Sequence, residues 1–119
     1  MNRTIFLPFI ASFSLLSCTN DSTRDLIAVD LNQTITYTEH VKPIIDANCI
    51  NCHNQPPVNG APMSLLTYQN VKLATQEMDL ISRISLPEGN SLLMPVGGPR
   101  LPQPVIDVLE KWLEDGLQE

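Results

Sequence analysis

An all-α fold is expected for this chain on three observations. Apolar residues recur at helical spacing in separate segments: Val41, Ile44 and Ile45; Leu80, Ile81 and Ile84; and Val105, Val108, Leu109 and Trp112. Proline, glycine and asparagine clusters punctuate these segments, and no regular strand–helix alternation appears between them. Nor is there an internal repeat or a glycine-rich phosphate cradle. About three to five helices fit the pattern.

The first residues stand apart from this domain. Met1-Asn2-Arg3 supplies one positive charge, and Ile5 to Leu16 is an apolar run too short to span a bilayer as a helix. It closes in Leu15-Leu16-Ser17-Cys18, which resembles a bacterial lipoprotein signal: residues 1–17 would be removed and Cys18 would carry the lipid. The alternative is an ordinary secretory signal that leaves a stray thiol, a liability in an oxidising compartment. Either way the protein is expected to be exported, to the periplasmic side or cell envelope, and with lipid to be anchored to a bacterial membrane. Several acyl chains on one residue anchor stably where a single chain binds marginally.

Removing 17 of the 119 residues leaves 102, enough for one small domain. Without Arg3 the mature chain has 6 basic and 13 acidic residues, a charge of −7. That balance argues against nucleic acid or an anionic membrane surface as a direct partner, and favours a protein partner with a basic docking patch. All three phenylalanines (Phe6, Phe9 and Phe13) lie in the signal segment, so the domain keeps only Tyr37, Tyr68 and Trp112 as aromatics. This is a thin supply for a core of its size.

Residues 18–35 read as the lipidated end and a tether. Thr19 to Arg24 is small and polar, while Ile27, Val29 and Leu31 form either one short extended segment or more tether with apolar contacts. The domain proper is 36–119. Its first helix is expected from Tyr37 to Asn48, with Thr36 and Glu39 making a capping box. Val41, Ile44, Ile45 and Asn48 share one face. Pro43 lies inside this span, where it removes a hydrogen bond and delays the start of regular helix.

Asn54 to Pro62 is a loop. Thr67–Ala74, with Val71 and Leu73, and Gln76–Ser85, with Leu80, Ile81 and Ile84, are expected as two short helices. Pro87-Glu88-Gly89-Asn90 is a turn. The last helix is the clearest: Pro104 suits a first turn, Val105, Val108, Leu109 and Trp112 make a stripe, and Gly116 ends it.

One stretch carries chemistry. Cys49-Ile50-Asn51-Cys52-His53 has the spacing of a c-type haem attachment site. Two thiols bond to the two vinyl groups on one porphyrin edge, and the next residue offers its imidazole to the iron. A tethered haem then keeps its axial ligand at very high local concentration. Half a zinc site is one rival, but a closed zinc site needs four ligands and only His40 and Cys18 remain to complete it. A dithiol redox pair is another, and lacks its usual βαβ context. A haem would also supply the large flat apolar body that this core lacks, so the haem-free chain is expected to be largely unfolded.

A helix running into Cys49-Ile50-Asn51-Cys52-His53, then Leu93-Met94-Pro95-Val96-Gly97-Gly98 ahead of an amphipathic last helix, resembles a class I monohaem cytochrome c. The resemblance spans Thr36 to Leu117. It implies a small cytochrome c fold around one covalently attached haem c, with Cys49 and Cys52 as thioether anchors and with His53 and a methionine as the iron's axial ligands. It further implies that the first and last helices cross near a haem edge, with Trp112 at that crossing or near a propionate. The loop before the last helix is where the family carries its distal methionine, which favours Met94. Met63, Met78, His40 and an open site are the alternatives. Met78 falls on an expected helix, where a core role is the default, and His40 reads as a surface residue on the first helical turn. The family's proximal histidine donates its second ring N–H to a backbone carbonyl, for which Pro62 is the candidate. Arg83 and Arg100 are read as solvent-exposed, with pairing of either to a propionate as the alternative.

The expected function is electron transfer by a membrane-tethered protein, not catalysis, since two axial ligands leave no substrate position at the iron. Asp46, Glu77 and Asp79 read as solvated carboxylates. Two rival readings stay open: a haem enzyme or gas or redox sensor with a labile sixth ligand, and a haem subunit of a larger oxidoreductase complex.

Overall fold

The computed structural model describes residues 29–119. The signal segment, Cys18 and Ile27 lie outside the described residues. Within them the chain is all-α: α1 (Lys42–Asn48), α2 (Tyr68–Glu77), α3 (Leu80–Ser85) and α4 (Gln103–Glu114), with a π-helical turn over Tyr37–Val41 leading into α1. No helix among the described residues is long and apolar enough to cross a membrane.

The π turn is Pro43's doing. In a regular α-helix its ring would press on the carbonyl of Glu39, four residues back. The backbone widens instead. Val41 N–H reaches the Thr36 carbonyl at 3.3 Å, and Lys42 N–H bonds to the Tyr37 carbonyl. Regular helix begins at Lys42, with Pro43 in the first turn, where its missing N–H is harmless. Thr36 Oγ1 accepts from Glu39 N–H at 3.4 Å, as a cap should, but Glu39 does not return the bond. His40 does: its Nδ1 accepts from Thr36 N–H at 3.1 Å. His40 is therefore half-buried cap chemistry rather than a free surface residue.

α2 starts where Thr67 Oγ1 accepts from Asn70 N–H at 3.2 Å, and runs on to Glu77. The expected break at Thr75 is thus displaced: Gln76 and Glu77 belong to α2, and α3 begins only at Leu80, after Asp79 turns the chain at φ 57°. Val71, Ala74 and Thr75 face inward. Leu73 does not. It is 48 % exposed, because two residues of helix carry it some 200° round from Val71. On α3, Leu80 and Ile84 are buried and Ile81 is half-buried.

α4 carries the most buried side chains of the four helices: Val105, Ile106, Val108, Leu109 and Trp112. Each such side chain contributes roughly 1.5–3 kcal/mol on burial. Gly116 (φ 83°) stops the helix, with Gly116 N–H bonding to Leu113 O at 3.1 Å and Leu117 N–H to Trp112 O at 2.9 Å. That pair of bonds is the Schellman arrangement.

α4 crosses the π turn, and the three domain aromatics meet at that crossing. Tyr37, Tyr68 and Trp112 have ring centroids 5.4–6.4 Å apart, in tilted or edge-on pairs. The C-terminal residues close over them. Tyr68 OH donates to Leu117 O and Trp112 Nε1 to Gln118 O, both at 2.7 Å, while Tyr37 N–H donates to Gln118 O at 2.8 Å. Thr36 and Gln118 form an isolated parallel bridge, and Ile35 N–H donates to Asp115 Oδ2 at 2.8 Å. Val29 and Leu31 rest half-buried on this core without forming a strand, and Leu31 begins a turn.

Candidate functional site

α1 ends by delivering the motif. Cys49 N–H still bonds to Ile45 O at 2.8 Å, then Cys52 and His53 both donate to the Cys49 carbonyl, at 3.2 and 3.0 Å. This tight winding keeps both cysteines and the histidine within one turn of backbone. The following loop folds back on it. Val58 N–H bonds to Cys52 O at 2.9 Å, and Leu65 N–H to His53 O at 2.8 Å. Asn59 (φ 54°) and Gly60 (φ 78°) make the reversal, a conformation that asparagine and glycine tolerate best.

His53 Nδ1–H donates to the Met63 carbonyl at 2.8 Å. A carbonyl can only accept, so Nδ1 carries the proton and Nε2 of the neutral ring keeps its lone pair. The carbonyl expected at Pro62 is thus one residue further on. The path of the reversal at Asn59-Gly60, invisible to spacing arguments, decides which carbonyl meets the ring. Pro62 instead lines the cavity beside it.

That cavity measures about 790 Å³. Such a volume suits a ligand of cofactor size. Cys49, Cys52 and His53 line it from one end of α1, Met63 from the folded-back loop, Ile84 from α3 and Met94 from the loop before α4. Leu65, Ala74, Leu80 and Leu101 add apolar wall. Met78 also lines the cavity. It caps the C-terminal end of α2 at 41 % exposure rather than sitting in the core, because its backbone has left the helix (φ −127°, ψ 21°). His40 and Trp112 are not among the lining residues. Trp112 stands where α4 meets the π turn, and does not line the cavity.

The electrostatics of the cavity are simple. Among the described residues no carboxylate lines it, and Arg83 is the only lysine or arginine that does. Among the described residues the Arg83 side chain makes no hydrogen bond or ion pair, whereas the Arg100 guanidinium is committed to Ser85 O, Leu101 O and Gln103 Oε1. Of the two arginines, only Arg83 is available to an anionic group inside. Burial pushes the Cys49 thiol up to about 11. An attacking redox cysteine needs the opposite shift, so the dithiol reading loses support. Asn59 Nδ2 approaches Cys52 Sγ at 3.5 Å, a contact sequence reasoning missed although the Asn59-Gly60 dipeptide marks its turn.

Among the described residues no three His, Cys, Asp or Glu side chains converge as ligands of a metal ion do, so a closed zinc site gains no support. Two thiols at a motif turn, an imidazole with its tautomer set, thioether sulfurs, apolar walls and Arg83 are brought together there, a set of residues compatible with a covalently held haem. No protein-family model, curated protein or solved structure matches the chain.

Proposed function

We propose that this protein is a monohaem c-type cytochrome with the small class I fold, and that it transfers electrons one at a time. The observation that carries the reading is the gathering of Cys49, Cys52, His53 and Met94 around a single apolar cavity of about 790 Å³. When bound, the haem supplies an iron that alternates between ferric and ferrous states. Everything else is the work of the chain. Cys49 and Cys52 hold the group covalently through their sulfurs. His53, oriented by the Met63 carbonyl, would offer Nε2 to the iron. Met94 presents a thioether, whose softness favours the ferrous state and raises the potential above that of a bis-histidine site. Leu65, Leu80, Ile84 and Leu101 exclude water, and Arg83 offsets the negative charge of the propionates.

Cys18 is proposed as the lipid attachment point, which makes the protein an envelope-anchored carrier. The mature charge of −7 favours redox partners with a basic docking patch.

The test is an optical spectrum of the protein matured with haem-attachment machinery, wild type against Met94→Ala, in both redox states. A two-thioether haemochrome, with a weak methionine-to-ferric-iron band that Met94→Ala abolishes, is the expected result. A band indifferent to Met94→Ala transfers the role to Met63 or Met78, which line the same cavity. A high-spin wild type that binds carbon monoxide rapidly favours an enzyme or sensor. No covalent haem overturns the proposal.

A further inference from the structure

Residues 86–102 form a long loop between α3 and α4, with Met94 near its middle. Both feet of this loop meet at one side chain. Arg100 Nε donates to the carbonyl of Ser85, the last residue of α3, at 3.3 Å. Its Nη2 donates to Oε1 of Gln103, the first residue of α4, at 2.8 Å. Gln103 is itself braced, Nε2 to Asp107 Oδ1 at 2.8 Å. The Arg100 backbone N–H adds a bond to Glu88 Oε1 at 2.6 Å, in the turn closed by Asn90 N–H to Pro87 O. Next along the chain, Leu101 is buried and lines the cavity.

The middle of the loop is tied mainly to itself. Leu92 N–H and Leu93 N–H donate to Oδ1 and the carbonyl of Asn90, at 2.9 and 3.1 Å, and Gly98 N–H donates to Pro95 O at 3.2 Å. Its bond to a helix is Met94 N–H to Arg83 O at 3.2 Å, and Val96, two residues on, is 70 % exposed. We propose that Arg100 is the latch of this loop, a positioning residue that keeps the Met94 sulfur at its ligating station; this role rests on Met94 being the axial ligand. The physical basis is geometric. A planar guanidinium can reach acceptors on two helices at once, which a lysine ammonium on a flexible stem does poorly. Closing the neck shortens the segment left free to fluctuate, and so raises the local concentration of the sulfur at its site.

The test uses the ferric holoprotein and two readouts: the rate at which added imidazole displaces the methionine band, and hydrogen exchange at the Met94 amide. Arg100→Ala is expected to speed both by about tenfold, since it removes three side-chain hydrogen bonds, two of them part-buried and the one to Gln103 exposed. Arg100→Lys is expected to lie between wild type and Arg100→Ala. Asp115→Asn, which weakens the far end of the molecule, is expected to change neither rate, separating latching from general stability. Glu88→Ala removes only the bond to the Arg100 backbone and is expected to raise both rates a few-fold; it becomes the deciding variant if Arg100→Ala does not accumulate. Unchanged rates in Arg100→Ala, or in Glu88→Ala standing in for it, overturn the latch. A wild type without a methionine band overturns the ligand assignment instead, and the loop-holding role of Arg100 then stands or falls on Met94 amide exchange alone.

Discussion

Around Trp112 the chain closes on itself through its own side chains: three rings in contact, Tyr68 OH and Trp112 N–H both bonded to C-terminal carbonyls, and Asp115 tied to the backbone of Ile35. At the other end of α1 the same chain surrounds about 790 Å³ that its own side chains do not fill. The two regions differ in what completes them. The aromatic end carries its core within the sequence. The cavity end has apolar walls, sulfur and imidazole donors and Arg83, and the proposed haem would pack against them. Local propensity alone does not stabilise short helices such as α1 and α3, so their persistence depends on what they pack against.

The strongest challenge to that contrast is to remove the attachment points. The double variant Cys49→Ala, Cys52→Ala is expected to lose covalent haem and, with it, most cooperative structure. Far-ultraviolet circular dichroism and a denaturant titration would check this, and a sharp native-like transition would show that the cavity end stands without its cofactor. Next in size, Trp112→Ala in the haem-loaded protein empties the centre of the aromatic end. It is expected to cost about 3–5 kcal/mol in chemical denaturation. Because Trp112 does not line the cavity, its effect on the methionine band well below the unfolding midpoint should be slight.

These expectations depend on features that were unequally legible in the sequence. The all-α class and the last helix were readable almost residue by residue, because Pro104, the stripe from Val105 to Trp112 and Gly116 all state the same element. The break between α2 and α3 was not, since it falls at Asp79, a non-glycine residue in a left-handed conformation with no local signature. The π turn follows from Pro43 only once the chain must keep Val41 and Ile45 buried on both sides of it. At the candidate site, Cys49, Cys52, His53 and Met94 were legible as a motif and a loop methionine, although their haem chemistry rests on the spectral test. The choice of Met63 over Pro62 as the carbonyl, and of Arg83 over Arg100 as the available cation, was not legible. Both depend on how a loop folds back, and spacing does not encode that.

The smallest effect sharpens the comparison from the aromatic end. The Asp115 carboxyl is held below its ordinary value, first by the Ile35 N–H and then by Lys111. A depressed folded value means that the bound carboxylate favours folding fully above the unfolded value of about 3.9, and that this contribution drains away as pH falls through the lower folded value. Acid titrations of thermal stability should therefore show wild type losing its advantage over Asp115→Asn below about pH 4, with the difference constant through neutrality.

The bridge between Thr36 and Gln118 has a consequence for how the domain can be connected. Two points 82 residues apart in the chain lie side by side in space. The domain is therefore a cassette with a single port. It can be spliced into a surface loop of a host protein without stretching, or have the two points joined by a short linker and be reopened in the exposed segment Asn54–Pro56. Anything joined at that port leaves from the aromatic end, and α1 carries Cys49-Ile50-Asn51-Cys52-His53 away from it by roughly 1.5 Å per residue.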